Sequence, residues 1–114
     1  TKIIKIVHLE IRKKLNTFIK KNKKSKILIL DIPLLLENKI NNKKDILIFV
    51  ESKKLEIIKR LKKRKNFNHK LLKKFKNIQL PIIYKKKESH FIIKNDFTKR
   101  TVRNRIKNIL KKII

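Results

Sequence analysis

The sequence predicts an α/β fold in which helices cover a small parallel sheet. Three short apolar runs, at residues 27–32, 46–50 and 91–93, have strand length and the unbroken hydrophobicity of strands buried on both faces. The stretches around them repeat apolar residues at helical spacing. Short strands separated by long helical segments are the pattern of a parallel sheet. At 114 residues the length fits one domain.

Each element follows from its residues. Over 3–20, Ile4, Val7, Ile11, Leu15, Phe18 and Ile19 recur at helical spacing among Lys and Arg, giving an amphipathic helix that runs out at Lys20 to Lys24. Ile27, Leu28, Ile29, Leu30, Asp31 and Ile32 form the first strand, and Pro33 stops it. Leu34 to Glu37 opens a short helix or turn, and 38–44 is polar and loop-like. The second strand is 46–50. Ser52 suits the N-cap of a helix over 53–65, with Leu55, Ile58 and Leu61 along one side. Asn68 caps the next helix, which carries Leu71, Leu72, Phe75 and Ile78 and is broken by Pro81. A short helix follows through Glu88, and Phe91, Ile92 and Ile93 make the third strand. Thr98 caps a last amphipathic helix with Val102, Ile106, Ile109 and Leu110 inward. Three strands make a partial sheet that further chain would complete.

Composition excludes several chemistries. Gly, Ala, Cys, Met and Trp are absent. Without Gly there is no glycine-rich phosphate loop and no dinucleotide fingerprint in these residues. Without Cys there is no disulfide, thiolate nucleophile or zinc–thiolate site. His8, His69 and His90 lack metal-ligand spacing, so no metal site is expected. No run is long and apolar enough to span a membrane, and Lys2, Lys5, His8 and Glu10 interrupt the one candidate signal-peptide core.

The net charge is +28, from 36 Lys and Arg against 8 Asp and Glu. Such a charge ordinarily points to an anionic partner. Yet 30 of the 36 cations are Lys, and Lys, Ile and Asn fill 63 of 114 positions. Those three have codons written almost wholly in A and T, so mutational pressure on the gene accounts for the pattern. A charge selected for nucleic acid brings more Arg, whose planar fork grips phosphate bidentately, and more exposed aromatics for stacking. A small basic nucleic-acid-binding protein is therefore the rival reading, and specific nucleic-acid binding is not expected.

At Asp31-Ile32-Pro33-Leu34-Leu35-Leu36-Glu37 the chain resembles the Asp-x-Pro-Leu-Leu-hydrophobic-Glu motif of the dephospho-CoA kinase family. Other landmarks follow in that family's order. His8 and Arg12 resemble a His-Pro-x-x-Arg element, with Leu9 in place of its Pro. Asp45 precedes the next core strand. Arg60 and Arg64 match a Gln-x-x-Arg-x-x-x-Arg helix, with Ile57 for its Gln. Gln79 and Lys85 match a Gln-x-x-x-x-x-Lys segment, and Asn95 matches an Asn after the last strand. Ser89-His90 stands where the family has Ala-Asp, and the Gly that follows its Asn is absent here.

The resemblance implies a P-loop kinase fold with a helical lid over 53–88, inside one incomplete domain over 1–114. It implies transfer of the γ-phosphoryl group of ATP, with Mg²⁺, to the ribose 3′-hydroxyl of dephospho-CoA, the last step of coenzyme A synthesis. Arg60 and Arg64 would be the catalytic lid residues that stabilise phosphate charge. Lys85 and Asn95 would bind ATP. His8, Arg12, Asp31 and Glu37 would bind dephospho-CoA. Without the resemblance, Arg60 and Arg64 are two solvated charges beside Lys59, Lys62, Lys63 and Lys65, Asp31 and Glu37 are buried capping residues, and Asn95 is a turn residue. Another nucleotide or nucleoside kinase would share sheet and lid. The family's opening strand, phosphate loop and acidic motif have no counterpart here, so the chain is expected to be an inactive fragment, monomeric and cytoplasmic. Its start at Thr1 fits either removal of an initiator Met or a missing upstream part.

Overall fold

A computed structural model describes residues 2–114; Thr1 and the side chain of Ile4, expected on the first helix's apolar stripe, lie outside the described residues. Five helices and two strands follow in the order α1 (Lys2–Lys21), β1 (Ile48–Glu51), α2 (Lys54–Lys62), α3 (His69–Ile78), α4 (Ile82–Glu88), β2 (Phe91–Lys94) and α5 (Lys99–Ile113). The chain divides into two compact units, Thr1–Ile40 and Asn41–Ile114.

The first unit is α1 followed by a long irregular segment. No Pro or Gly interrupts α1, and Ile11 and Leu15, four apart, are its half-buried apolar residues among those described. Lys20 and Lys21 occupy its last turn, where the helix dipole favours cations. Asn22 closes that end: its side-chain amide donates to the Phe18 carbonyl at 2.8 Å and its backbone N–H to the same oxygen at 3.1 Å.

Residues 27–32 do not form the expected strand. Among the described residues the sheet has only the two strands β1 and β2. Exposure along the run alternates: Ile27, Ile29 and Asp31 are exposed, Ile29 at 83%, while Leu28, Leu30 and Ile32 are half-buried. The physical reason is that an apolar run encodes a demand for burial, whereas a strand also needs a neighbouring backbone to receive its N–H and C=O groups.

The chain then turns back over 33–39. The Asn38 N–H reaches the Leu34 carbonyl at 3.0 Å, Lys39 reaches Leu36 at 3.2 Å, and Ile40 reaches Leu35 at 3.1 Å. The last two bonds form a Schellman closure with Lys39, at φ 51°, in the left-handed position that Gly usually fills. Ile40 follows as a buried residue, although it sits in a segment the sequence marks as polar.

The second unit holds the sheet. β1 and β2 pair in parallel with Ile48 opposite Phe91, Phe49 opposite Ile92, Val50 opposite Ile93 and Glu51 opposite Lys94. The crossover that a parallel pair requires is supplied by α2, α3 and α4. At the start of the pair the Leu47 carbonyl accepts from the N–H of His90 at 2.8 Å and of Phe91 at 3.2 Å. The Leu47 N–H donates to His90 Nδ1 at 2.9 Å. Asn95 N–H donates to the Glu51 carbonyl at 2.7 Å and closes the far end.

Neither strand is buried on both faces as expected. Ile48, Val50 and Ile92 are exposed. Directly paired residues point to the same face, so Val50 and Ile93 share one. α5 packs on β2, where Ile93 is buried, as is Ile109 of α5. Val50, the partner of Ile93 on β1, stays exposed. Other details of burial also differ from expectation. Ile106 is exposed on α5, which packs on β2 along a narrow stripe, and Leu55 is 82% exposed on α2.

Helix starts divide by residue. Asn68 Oδ1 accepts from the Lys70 N–H at 2.9 Å and caps α3. Ser52 does not cap α2, which starts one residue later behind Lys53, and Thr98 precedes α5 without a side-chain cap bond. α2 ends at Lys62, short of the expected 65. Leu61 is its last half-buried residue, and 62–66 offer no apolar side chain to hold another turn.

Candidate active site

Parallel pairing brings the carboxyl ends of β1 and β2 to one edge, where open α/β sheets present ligand-binding loops. Glu51 and Lys94 end the strands, and 95–98 is the loop leaving β2. Two side chains shape that loop. Asn95 Oδ1 accepts from the Phe97 N–H and Asp96 Oδ1 from the Thr98 N–H, both at 2.9 Å. These are successive Asx turns. They place Phe97 at φ 61°, the left-handed region that costs a residue with a Cβ about 1–2 kcal/mol.

Three cations converge on this edge. The Arg60 guanidinium of α2 lies over the Phe97 ring, 3.6 Å from its centroid. At an exposed site a cation–π contact contributes roughly 0.5–1 kcal/mol. Lys86 of α4 meets Glu51 at 2.5 Å. That hydrogen bond holds the Glu51 carboxyl below its usual range, against partial desolvation and with help from the charges of Lys86 and Lys94. The Arg105 guanidinium of α5 donates to the Lys94 carbonyl. Cations fixed around strand ends can hold anionic oxygen in place and neutralise charge as it shifts.

Of the residues the sequence marks in this unit, Arg60 and Asn95 come together through Phe97. Lys85 is half-buried on α4 beside Lys86, and its carbonyl accepts from Ser89 Oγ at 2.7 Å. Arg64 departs from expectation. It does not share a helix face with Arg60, because α2 ends at Lys62; it lies exposed in the following turn, its N–H on the Leu61 carbonyl at 3.1 Å.

The other four marked residues lie in the first unit. Arg12 Nη2 donates to the carbonyls of Asn38 at 3.2 Å and Lys39 at 3.5 Å, tying α1 to the closing turn. Glu37 sits half-buried inside that turn. His8 is half-buried one helical turn before Arg12. Asp31 is exposed and lines an apolar groove between α1 and the segment after it, shared with Lys14, Leu15 and Phe18.

Glu51, Lys86 and Phe97 were not legible as site residues. Glu51 directly follows an apolar run, and Phe97 stands two residues after Asn95, where a turn residue is expected; only the sheet register and the loop geometry bring them into the site. Among the described residues, no cluster of three or more His, Asp or Glu could hold a metal ion. No described helix is long and apolar enough to cross a membrane.

Known proteins place this arrangement. The family model described as dephospho-CoA kinase matches residues 1–100. A dephospho-CoA kinase of Wolbachia pipientis wMel is 36% identical over 107 residues, covering 92% of this chain and 54% of that protein. The dephospho-CoA kinase of a Wolbachia of Brugia malayi is 33% identical over 107 residues, with 92% and 54% covered. That of Bacillus anthracis is 33% identical over 112 residues, with 95% and 55% covered. The chain thus spans about half the length of the curated relatives it matches. No solved structure matches it significantly. The basic nucleic-acid-binding alternative finds no support in these relationships. The match over nearly the whole chain, together with the parallel strands and their helical crossover, shows that this chain belongs to the dephospho-CoA kinase family.

Proposed function

We propose that this chain is the later part of an enzyme that transfers the γ-phosphoryl group of ATP to the ribose 3′-hydroxyl of dephospho-CoA. The observation that carries this is the gathering of Arg60, Asn95 and Lys86 near the carboxyl edge of a parallel sheet, in a chain of this family. Phosphoryl transfer asks for positioning and charge neutralisation more than covalent chemistry. In this assignment residues 53–88 form the lid, Arg60 and Arg64 bring positive charge to the moving phosphoryl group, Lys85 reaches the ATP phosphates and Asn95 meets the adenine. His8, Arg12, Asp31 and Glu37 bind dephospho-CoA. Arg12 keeps guanidinium donors beyond those spent on Asn38 and Lys39. Mg²⁺ accompanies ATP as part of the substrate, and no step is assigned to it. The reaction is placed in the cytoplasm and the working unit is a monomer.

The 114 residues contain no Gly and therefore no glycine-rich backbone cradle for the β- and γ-phosphates. Assayed with ATP, Mg²⁺ and dephospho-CoA, this chain should give no turnover; robust turnover would overturn the expectation that these residues are inactive without that cradle. Binding provides the positive test. Dephospho-CoA should bind saturably at about 0.3 M salt, where exposed charges are well screened. Arg12→Ala should weaken that binding several-fold. Affinity no better than that of pyrophosphate would sink the assignment of the acceptor.

A further inference from the structure

Phe97 occupies the least comfortable backbone position of its loop. At φ 61° its Cβ crowds the following carbonyl, and Gly would hold the same place without cost. The Asx turn from Asn95 holds the backbone there. The ring that results is not spent on the core. It lies under the guanidinium of Arg60, 37 residues earlier on α2, at 3.6 Å. Arg60 is otherwise an exposed side chain at the last turn of its helix, with four rotatable bonds free to wander.

We propose that Phe97 is a positioning residue for Arg60: its ring holds the guanidinium at the carboxyl edge of the sheet, beside the Asn95 loop, before any phosphate arrives. A planar guanidinium stacks on an aromatic face and keeps its N–H donors directed outward around the rim. Arg60 is therefore presented with its donors available and much of its rotamer entropy already lost. Docking also joins α2 to the loop after β2, so a ligand that orders one orders the other. The functional consequence rests on the nucleotide assignment above; the contact itself does not.

Arginine side-chain NMR of the 114-residue chain tests both. The Arg60 Hδ and Hε protons should resonate upfield of those of the other five arginines, since they lie under a ring. Phe97→Gly should abolish that shift, because it removes the ring while Gly still accepts the left-handed backbone. Phe97→Tyr should keep the shift. An Arg60 with no ring shift, or one unchanged in Phe97→Gly, would overturn the proposal. ATP added at constant ionic strength should move the Arg60 signals, with several-fold weaker binding in Phe97→Gly and parent-like binding in Phe97→Tyr. Equal affinity in Phe97→Gly and parent, with Arg60 responding in both, would overturn prepositioning. An Arg60 that ignores ATP while its Phe97-dependent shift persists would sink the nucleotide assignment and leave the contact standing.

Discussion

Lys39 and Phe97 both stand in left-handed backbone without being Gly, in a chain that has no Gly at all. Each pays a steric cost that local bonds must overcome: the Schellman closure at Lys39 and the Asx turn at Phe97. Lys39→Gly should stabilise the first unit by about 0.5–1 kcal/mol, the relieved Cβ clash less the added freedom of the unfolded chain. Denaturant unfolding would show it as a higher midpoint, and an unchanged or lower midpoint would refute it. Glu51 makes a second case at this scale. Its folded carboxyl is held below the usual range by Lys86, so its contribution is full above the ordinary carboxyl pKa. That contribution is lost as pH falls through the lowered folded value. Melting temperatures of the parent and Glu51→Gln should therefore converge on acidification; curves that stay parallel from neutral to acid pH would contradict this.

Among the elements, the helices follow their sequence signals most closely. α1 and α3 begin and end within about two residues of the expected bounds, α4 ends at Glu88 and α5 begins after Thr98 as expected, because apolar spacing, the Asn68 cap and the break at Pro81 all act locally. Asn68→Ala should cost about 1 kcal/mol through the lost bond to the Lys70 N–H, with faster amide exchange in the first turn of α3. Ser52→Ala should change stability by less than about 0.5 kcal/mol, since Ser52 caps nothing. Equal losses in the two variants would contradict the assignment of caps. The strands were less legible. Residues 46–50 and 91–93 pair nearly as read, whereas 27–32, the longest of the three, does not pair among the described residues. Pairing depends on a distant backbone, and hydrophobicity does not name it.

Across the whole molecule, repulsion opposes a thin core. Ile40, Ile93 and Ile109 are the buried apolar residues among those described, against a net charge of +28. Few of the 36 cations find one of the 8 acids, and Glu10–Lys13 at 3.6 Å is an exposed pair of little energetic weight. Raising salt from about 0.05 to 0.5 M shortens the reach of that repulsion. The melting temperature should rise with it, from a low starting value and over a broad transition. A high, sharp transition indifferent to salt would show that the core outweighs the charge.

Local chemistry written into consecutive residues carried the α/β class, the helices, the Asn68 cap and the ordered motif residues from His8 to Asn95. Spacing is enough for these, since each depends on neighbours a few positions away. The company each site residue keeps was settled in three dimensions. Arg60 rests on Phe97, Lys86 holds Glu51, and Arg12 is bound to the turn at Asn38 and Lys39. Arg64 left the face it was expected to share when α2 ran out of apolar residues to bury. Such contacts join residues 26 to 37 positions apart. They exist because packing and sheet register bring remote backbone together, and a linear pattern of residue types does not record which distant partner will be met.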